Sequence, residues 1–96
     1  MKYIDWSEEK NEWLKTNRGI SFEDVVFSIS QGGLLDRKRH ENKIKFRNQW
    51  VFFVEISGYV FAVPFVEDDE KIFLKTIFPT RKATKEYLEG DKHETK

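Results

Sequence analysis

The chain of 96 residues is sized for one domain with a modest core and leaves no room for a second. It has no cysteine, which excludes disulfide staples, thiolate nucleophiles and Cys-based zinc sites. The net charge is zero, yet residues 34–50 hold six Lys/Arg against two Asp/Glu, so a neutral total conceals a basic segment. That segment reads either as a phosphate-binding patch or as a solvated hairpin.

The N-terminal stretch "MKYIDWSEEK" has no apolar h-region, and no apolar run approaches the ~20 residues that span a bilayer. The expectation is a cytoplasmic chain without a membrane partner. After a possible short strand at Lys2 to Asp5, a helix is predicted from Ser7 as N-cap to about Asn17, with Gly19 as its stop. Trp6, Lys10, Trp13, Leu14 and Asn17 share one face at helical spacing, which sets Lys10 on the apolar side between two Trp rings. Such a lysine either snorkels to water or lines a site.

"GISFEDVVFSIS" predicts a second helix. Ser21 caps it, Asp24 completes a variant capping box, and Ile20 with Val25 forms a hydrophobic staple. Phe22, Val25, Val26 and Ile29 supply its core stripe, and "QGG" ends it. From Leu34 the period changes to two, predicting strands near 34–39, 48–56, 59–66 and 71–78, with Ser57-Gly58 as a tight turn. Short connections make these an antiparallel meander. Pro64, inside the third of them, marks an edge or a bulge. A C-terminal helix runs from about Arg81 to Leu88, and residues 90–96 form a polar tail. The fold class is therefore α+β: two N-terminal helices, a four-stranded antiparallel sheet and a C-terminal helix.

The strands "WVFFVEI", "YVFAVPFV" and "KIFLKTIF" are apolar on both faces. Three short helices cover one face of a sheet well and the other only in part, so either self-association or a protein partner covers the rest.

Candidate chemistry gathers in two places. The last helix opens with Thr80, Arg81 and Lys82, placing cations where the helix dipole disfavours them. A phosphate there would accept backbone N–H bonds and a forked contact from Arg81; the alternative is a tolerated basic pair. The hairpin "DRKRHENKIKFR" adds Arg37, Arg39 and Arg47, with Lys38 and His40 on the opposite face from Arg37 and Arg39. His40 is the proton-transfer candidate, since its ordinary pKa lies near ~6.5. No P-loop, GxSxG elbow, calcium loop or metal-ligand spacing occurs, so no metal or cofactor is expected. What these residues fit is RNA cleavage by the substrate's own 2′-OH, with cations stabilising charge on the phosphoryl oxygens.

The motifs W-S-x-E-K-N at residues 6–11, G-I-S-F-E-D at 19–24 and R-K-A-T at 81–84 resemble the BrnT-type toxins, over a span from Tyr3 to Leu88. These are the toxin half of type II toxin–antitoxin modules, similar in fold to the RelE/ParE superfamily. The resemblance implies a single toxin-like domain over residues 1–89, a ribonuclease that inhibits translation, and neutralisation by a cognate ribbon-helix-helix antitoxin that carries operator-DNA binding. Taken with the residue chemistry above, it leads us to expect Arg81, His40 and Lys10 in catalysis and Arg37, Arg39, Arg47, Lys82 and Thr80 on RNA phosphates. The neutral charge and two-sided sheet keep a second expectation open, a non-catalytic antitoxin-binding and co-repressor module.

Overall fold

The structure, a computed structural model, describes residues 2–39 and 49–89. The expected His40, Arg47 and the polar tail at 90–96 lie outside the described residues. The elements are β1 (Tyr3–Trp6), α1 (Glu8–Arg18), α2 (Phe22–Ser30), β2 (Leu34–Arg39), β3 (Gln49–Ile56), β4 (Tyr59–Glu67), β5 (Lys71–Leu74), β6 (Phe78–Pro79) and α3 (Arg81–Thr84), which runs on into a π-helical turn at Lys85–Glu89. The class is α+β, as expected. Among the described residues no helix is long and apolar enough to cross a membrane.

Both N-terminal helices begin and end where their caps dictate. Ser7 Oγ accepts from Lys10 N at 3.2 Å, and Glu8, Glu9 and then Lys15, Arg18 complement the α1 dipole at its two ends. Ser21 and Asp24 form a reciprocal capping box at the start of α2. At the Ser57-Gly58 turn both residues have positive φ, 55° and 79°, the primed-turn geometry that matches strand twist.

The sheet departs from the expected four-stranded meander. It is a mixed sheet in the order β1-β5-β4-β3-β2, with β6 pairing β4 separately. β1 runs parallel to β5, Trp6 opposite Leu74. The short strand expected at Lys2 to Asp5 is present as β1, but a parallel neighbour is brought in by a long crossover and leaves no local turn in the sequence to reveal its pairing with β5. The expected strand over 71–78 divides into β5 and β6, because Ile77 turns fully into the core and its carbonyl accepts from Arg18 Nη1 at 2.6 Å.

Pro64 is neither at a sheet edge nor at a bulge. It sits mid-β4, paired with Val51, where the neighbour on the other side changes from β5 to β6. Its carbonyl accepts from Lys75 N on that side, at 2.8 Å. In an extended strand N and C=O of one residue point the same way, so the missing donor faces the gap and costs no ladder bond.

The main core lies between α1, α2 and one sheet face. Leu14, Phe22 and Val25 pack on Phe52, Val54, Val63, Phe65 and Leu74, with Phe52 and Phe65 stacked at 4.0 Å. Asn11 rather than Trp13 completes the inner face of α1: Asn11 is fully buried while Trp13 is 43 % exposed. On the second sheet face α3 covers only one end, burying Ala83 and Thr84 near Val60 and Ala62.

Where α2 returns to the sheet, Gly33 lies against Ser28. A Cβ there would stand 2.1 Å from Ser28 Oγ and 2.9 Å from Ser28 O. Ser28 Oγ is itself committed to Glu55 O at 2.6 Å, and Gly33 O accepts from Glu55 N at 2.9 Å, so neither side can yield. Gly33→Ala is expected to destabilise the fold by about 2–3 kcal/mol, read as a lowered urea midpoint at unchanged slope.

Candidate functional site

The strand register decides which basic residues can meet. Within β2, Arg37 lies opposite Phe52 and Lys38 opposite Val51. Phe52 belongs to the α1/α2 side, so Arg37 faces that side and Lys38 faces α3. Arg37 stacks 4.5 Å from the Trp50 centroid and ion-pairs Glu67, which also holds Lys2 at 2.6 Å. The Lys2 hydrogen bond and the adjacent Arg37 charge hold the Glu67 carboxyl below its ordinary range.

On the α3 side a cavity of about 380 Å³ opens between α3 and β2. Lys38 and Arg39 form one wall, and Thr80, Lys82 and Glu86 the other. Its floor is apolar, from Val51, Phe53, Ala62 and Phe78. Arg39, the last residue of β2, also brings its guanidinium 5.6 Å from the Trp50 centroid.

Lys38 is held by neighbours that the sequence reading did not single out. Its Nζ lies 5.9 Å from the Phe53 centroid and 5.8 Å from that of Tyr87. Tyr87 packs on Phe53 at 5.6 Å and donates its hydroxyl hydrogen to Asp36 Oδ2 at 2.6 Å. The Lys38 pKa is raised, first by a hydrogen bond to Tyr87 and then by nearby negative charge. Burial, followed by the Asp36 bond, raises Tyr87. The Tyr87 bond lowers Asp36. Lys38 is thus kept protonated, which suits it to neutralise charge and not to shuttle protons. In Tyr87→Phe the Asp36 carboxyl loses its main stabiliser, so an NMR titration should show it protonating at higher pH than in the wild type.

The other expected residues fall as follows. Thr80 lines the cavity, but its Oγ1 is engaged as N-cap, accepting from Ala83 N at 2.9 Å. Its carbonyl accepts from Thr84 Oγ1 at 2.8 Å, and Thr84 Oγ1 in turn accepts from Val60 N at 2.9 Å, which ties α3 to β4. Arg81 is exposed at the start of α3 beside the cavity without lining it, whereas Lys82 does. Lys10 is remote from this group: it lies with Ser7, Glu9 and Trp13, its Nζ 4.4 Å above the Trp13 ring. That is the snorkelling geometry. Among the expected residues Arg39, Lys82 and Thr80 thus line the cavity, joined by Lys38 and Glu86, but the Arg39 guanidinium lies at the Trp50 ring on the Arg37 side, and Arg37 and Lys10 stand apart. Among the described residues no group of three or more His, Asp or Glu converges as metal ligands.

Comparison with known protein families, with curated proteins and with solved structures found no match to this chain.

Proposed function

We propose that the chain is the toxin of a type II toxin–antitoxin module, a metal-independent endoribonuclease that inhibits translation in the cytoplasm and is neutralised by a ribbon-helix-helix antitoxin, through which it reaches operator DNA. The observation that carries this reading is that Lys38 from β2 and Lys82 from α3 line one apolar-floored cavity. A scissile phosphate seated there meets ammonium groups from two walls in a partly dry setting, where charge stabilisation is strongest. The substrate 2′-OH attacks the adjacent phosphorus, the bond to the 5′ oxygen breaks, and a 2′,3′-cyclic phosphate and a 5′-OH result. One group must take the 2′-OH proton and one must give a proton to the leaving oxygen. Glu86 on the cavity wall is the described carboxylate able to accept the first, and His40, two residues beyond Lys38, is the sequence-based candidate for the second.

The test is incubation of purified protein with RNA in excess chelator. Cleavage should persist, leave cyclic phosphate ends, and stop when the scissile nucleotide carries 2′-deoxyribose. Intact RNA at excess protein would overturn the reading. A second reading, the non-catalytic antitoxin-binding module, is favoured by Phe78, a cavity-floor residue that is 40 % exposed and suited to an apolar partner. Intact RNA together with tight binding of a neighbour-encoded partner would select it.

A further inference from the structure

The cavity does not end at Val51. Val51 lies opposite Pro64 on β4, and Lys75 N donates to Pro64 O at 2.8 Å, so the floor continues across the sheet toward β5. There Phe73 lies opposite Val66, on the same face. Lys75 Nζ stands 5.9 Å from the Phe73 centroid, and Lys71 Nζ 5.6 Å. Val51, Pro64, Val66 and Phe73 are each only half-buried, because α3 covers the other end of this face. The distance from β2 to β5 is three inter-strand steps, about 14 Å.

Charge identifies the occupant. Cations stand at both ends of this lane, Lys38 at the cavity and Lys75 beyond Phe73, while Gln49, Val51, Pro64 and Val66 between them carry no carboxylate. Lys71 is 3.7 Å from Asp5 Oδ2, whereas no carboxylate among the described residues ion-pairs with Lys75. An apolar protein segment would gain from the floor but would meet lysines at either end. A single nucleic-acid strand uses both features: bases stack on an aromatic face and phosphates pair with the flanking cations. A duplex hides its base faces and cannot use Phe73 in this way.

We infer that Phe73 and Lys75 form a second subsite for single-stranded RNA, which stacks a base and holds a phosphate on one side of the strand lying in the cavity. The inference rests on the ribonuclease reading above and fixes its substrate as unpaired RNA.

The test measures binding apart from cleavage, by fluorescence anisotropy with a short unstructured 2′-O-methyl RNA, which offers no 2′-OH to attack. A hairpin of the same composition serves as the paired probe. The single strand should bind more tightly than the hairpin. Phe73→Leu should weaken it about fivefold, the lower end of what one stacked base contributes. Lys75→Ala should reduce the slope of log K against log salt by about 0.7, the loss of one phosphate contact. Circular dichroism and urea midpoints keep loss of folding apart from loss of contact. Wild-type affinity in both variants, or equal binding of hairpin and single strand, overturns the subsite while leaving the cavity reading intact. If the variants keep RNA affinity and instead lose a ribbon-helix-helix partner, the face docks protein and the inference is wrong. Failure of the wild type to bind or cut any RNA sinks both readings together.

Discussion

Replacing Lys38 with methionine is expected to slow RNA cleavage about a hundredfold, the scale seen when one preorganised charge-stabilising donor is removed. The expectation follows from how the ammonium is held. Its strand position points it at α3, the Phe53 and Tyr87 rings lie beneath it, and Asp36 bonded to Tyr87 supplies negative charge close by. Because those neighbours raise its pKa, Lys38 stays charged throughout the working range, and the pH–rate profile of the variant should keep its shape while its height falls. Methionine keeps the stem's apolar contacts with the rings, so the urea midpoint should move little. Arg37→Met is the informative contrast. Arg37 faces the other side of the sheet and pairs with Glu67, so its loss should lower stability and leave the rate nearly unchanged. The reverse pattern, a rate loss for Arg37 and none for Lys38, would move the site to the α1/α2 side and defeat the cavity assignment.

What could be read in the sequence, and what could not, divides along local and non-local physics. Ser7, Gly19, Ser21 with Asp24, and Thr80 mark helix ends through bonds spanning only a few residues, and each acts where its type predicts. The two-sided apolar strands announced a face that the helices cover incompletely, and α3 indeed covers one end of it. Alternation also showed that Arg37 and Lys38 point to opposite faces. It could not show which face meets α3, because that depends on the path of the chain through residues far away. The parallel docking of β1 on β5 was hidden for the same reason. Tyr87 is a different case. With Ala83 and Thr84 buried, the residue three and four positions on falls on the same helical face, so the spacing was there to find.

The largest effect on stability is expected at Asn11. This side chain is fully buried, and both ends of its amide are used to join α1 to the start of α2. Oδ1 accepts from Phe22 N at 2.7 Å, and Nδ2 donates to Glu23 Oε1 at 2.8 Å. Phe22 N is one of the first-turn donors that a helix cannot satisfy internally, and the capping box already occupies Ser21 and Asp24. Asn11→Leu keeps the volume but leaves that N–H buried without an acceptor, at a cost of about 3 kcal/mol including the lost bond to a charged group. In a domain of this size that is a large fraction of the whole, and the melting temperature should fall by about 15 °C. The Glu23 carboxyl reports the same event. Its pKa is lowered chiefly by the Asn11 bond, so in the variant Glu23 should protonate at higher pH, and stability should depend less on acidification than in the wild type. Asn11→Asp separates the two bonds. It retains an acceptor for Phe22 N but sets a second carboxylate against Glu23, so its deficit should shrink as pH falls and the pair gains a proton. A Leu variant that unfolds within about 1 kcal/mol of the wild type would show that water or a neighbouring group reaches Phe22 N, and that the helix pair is joined by apolar packing alone.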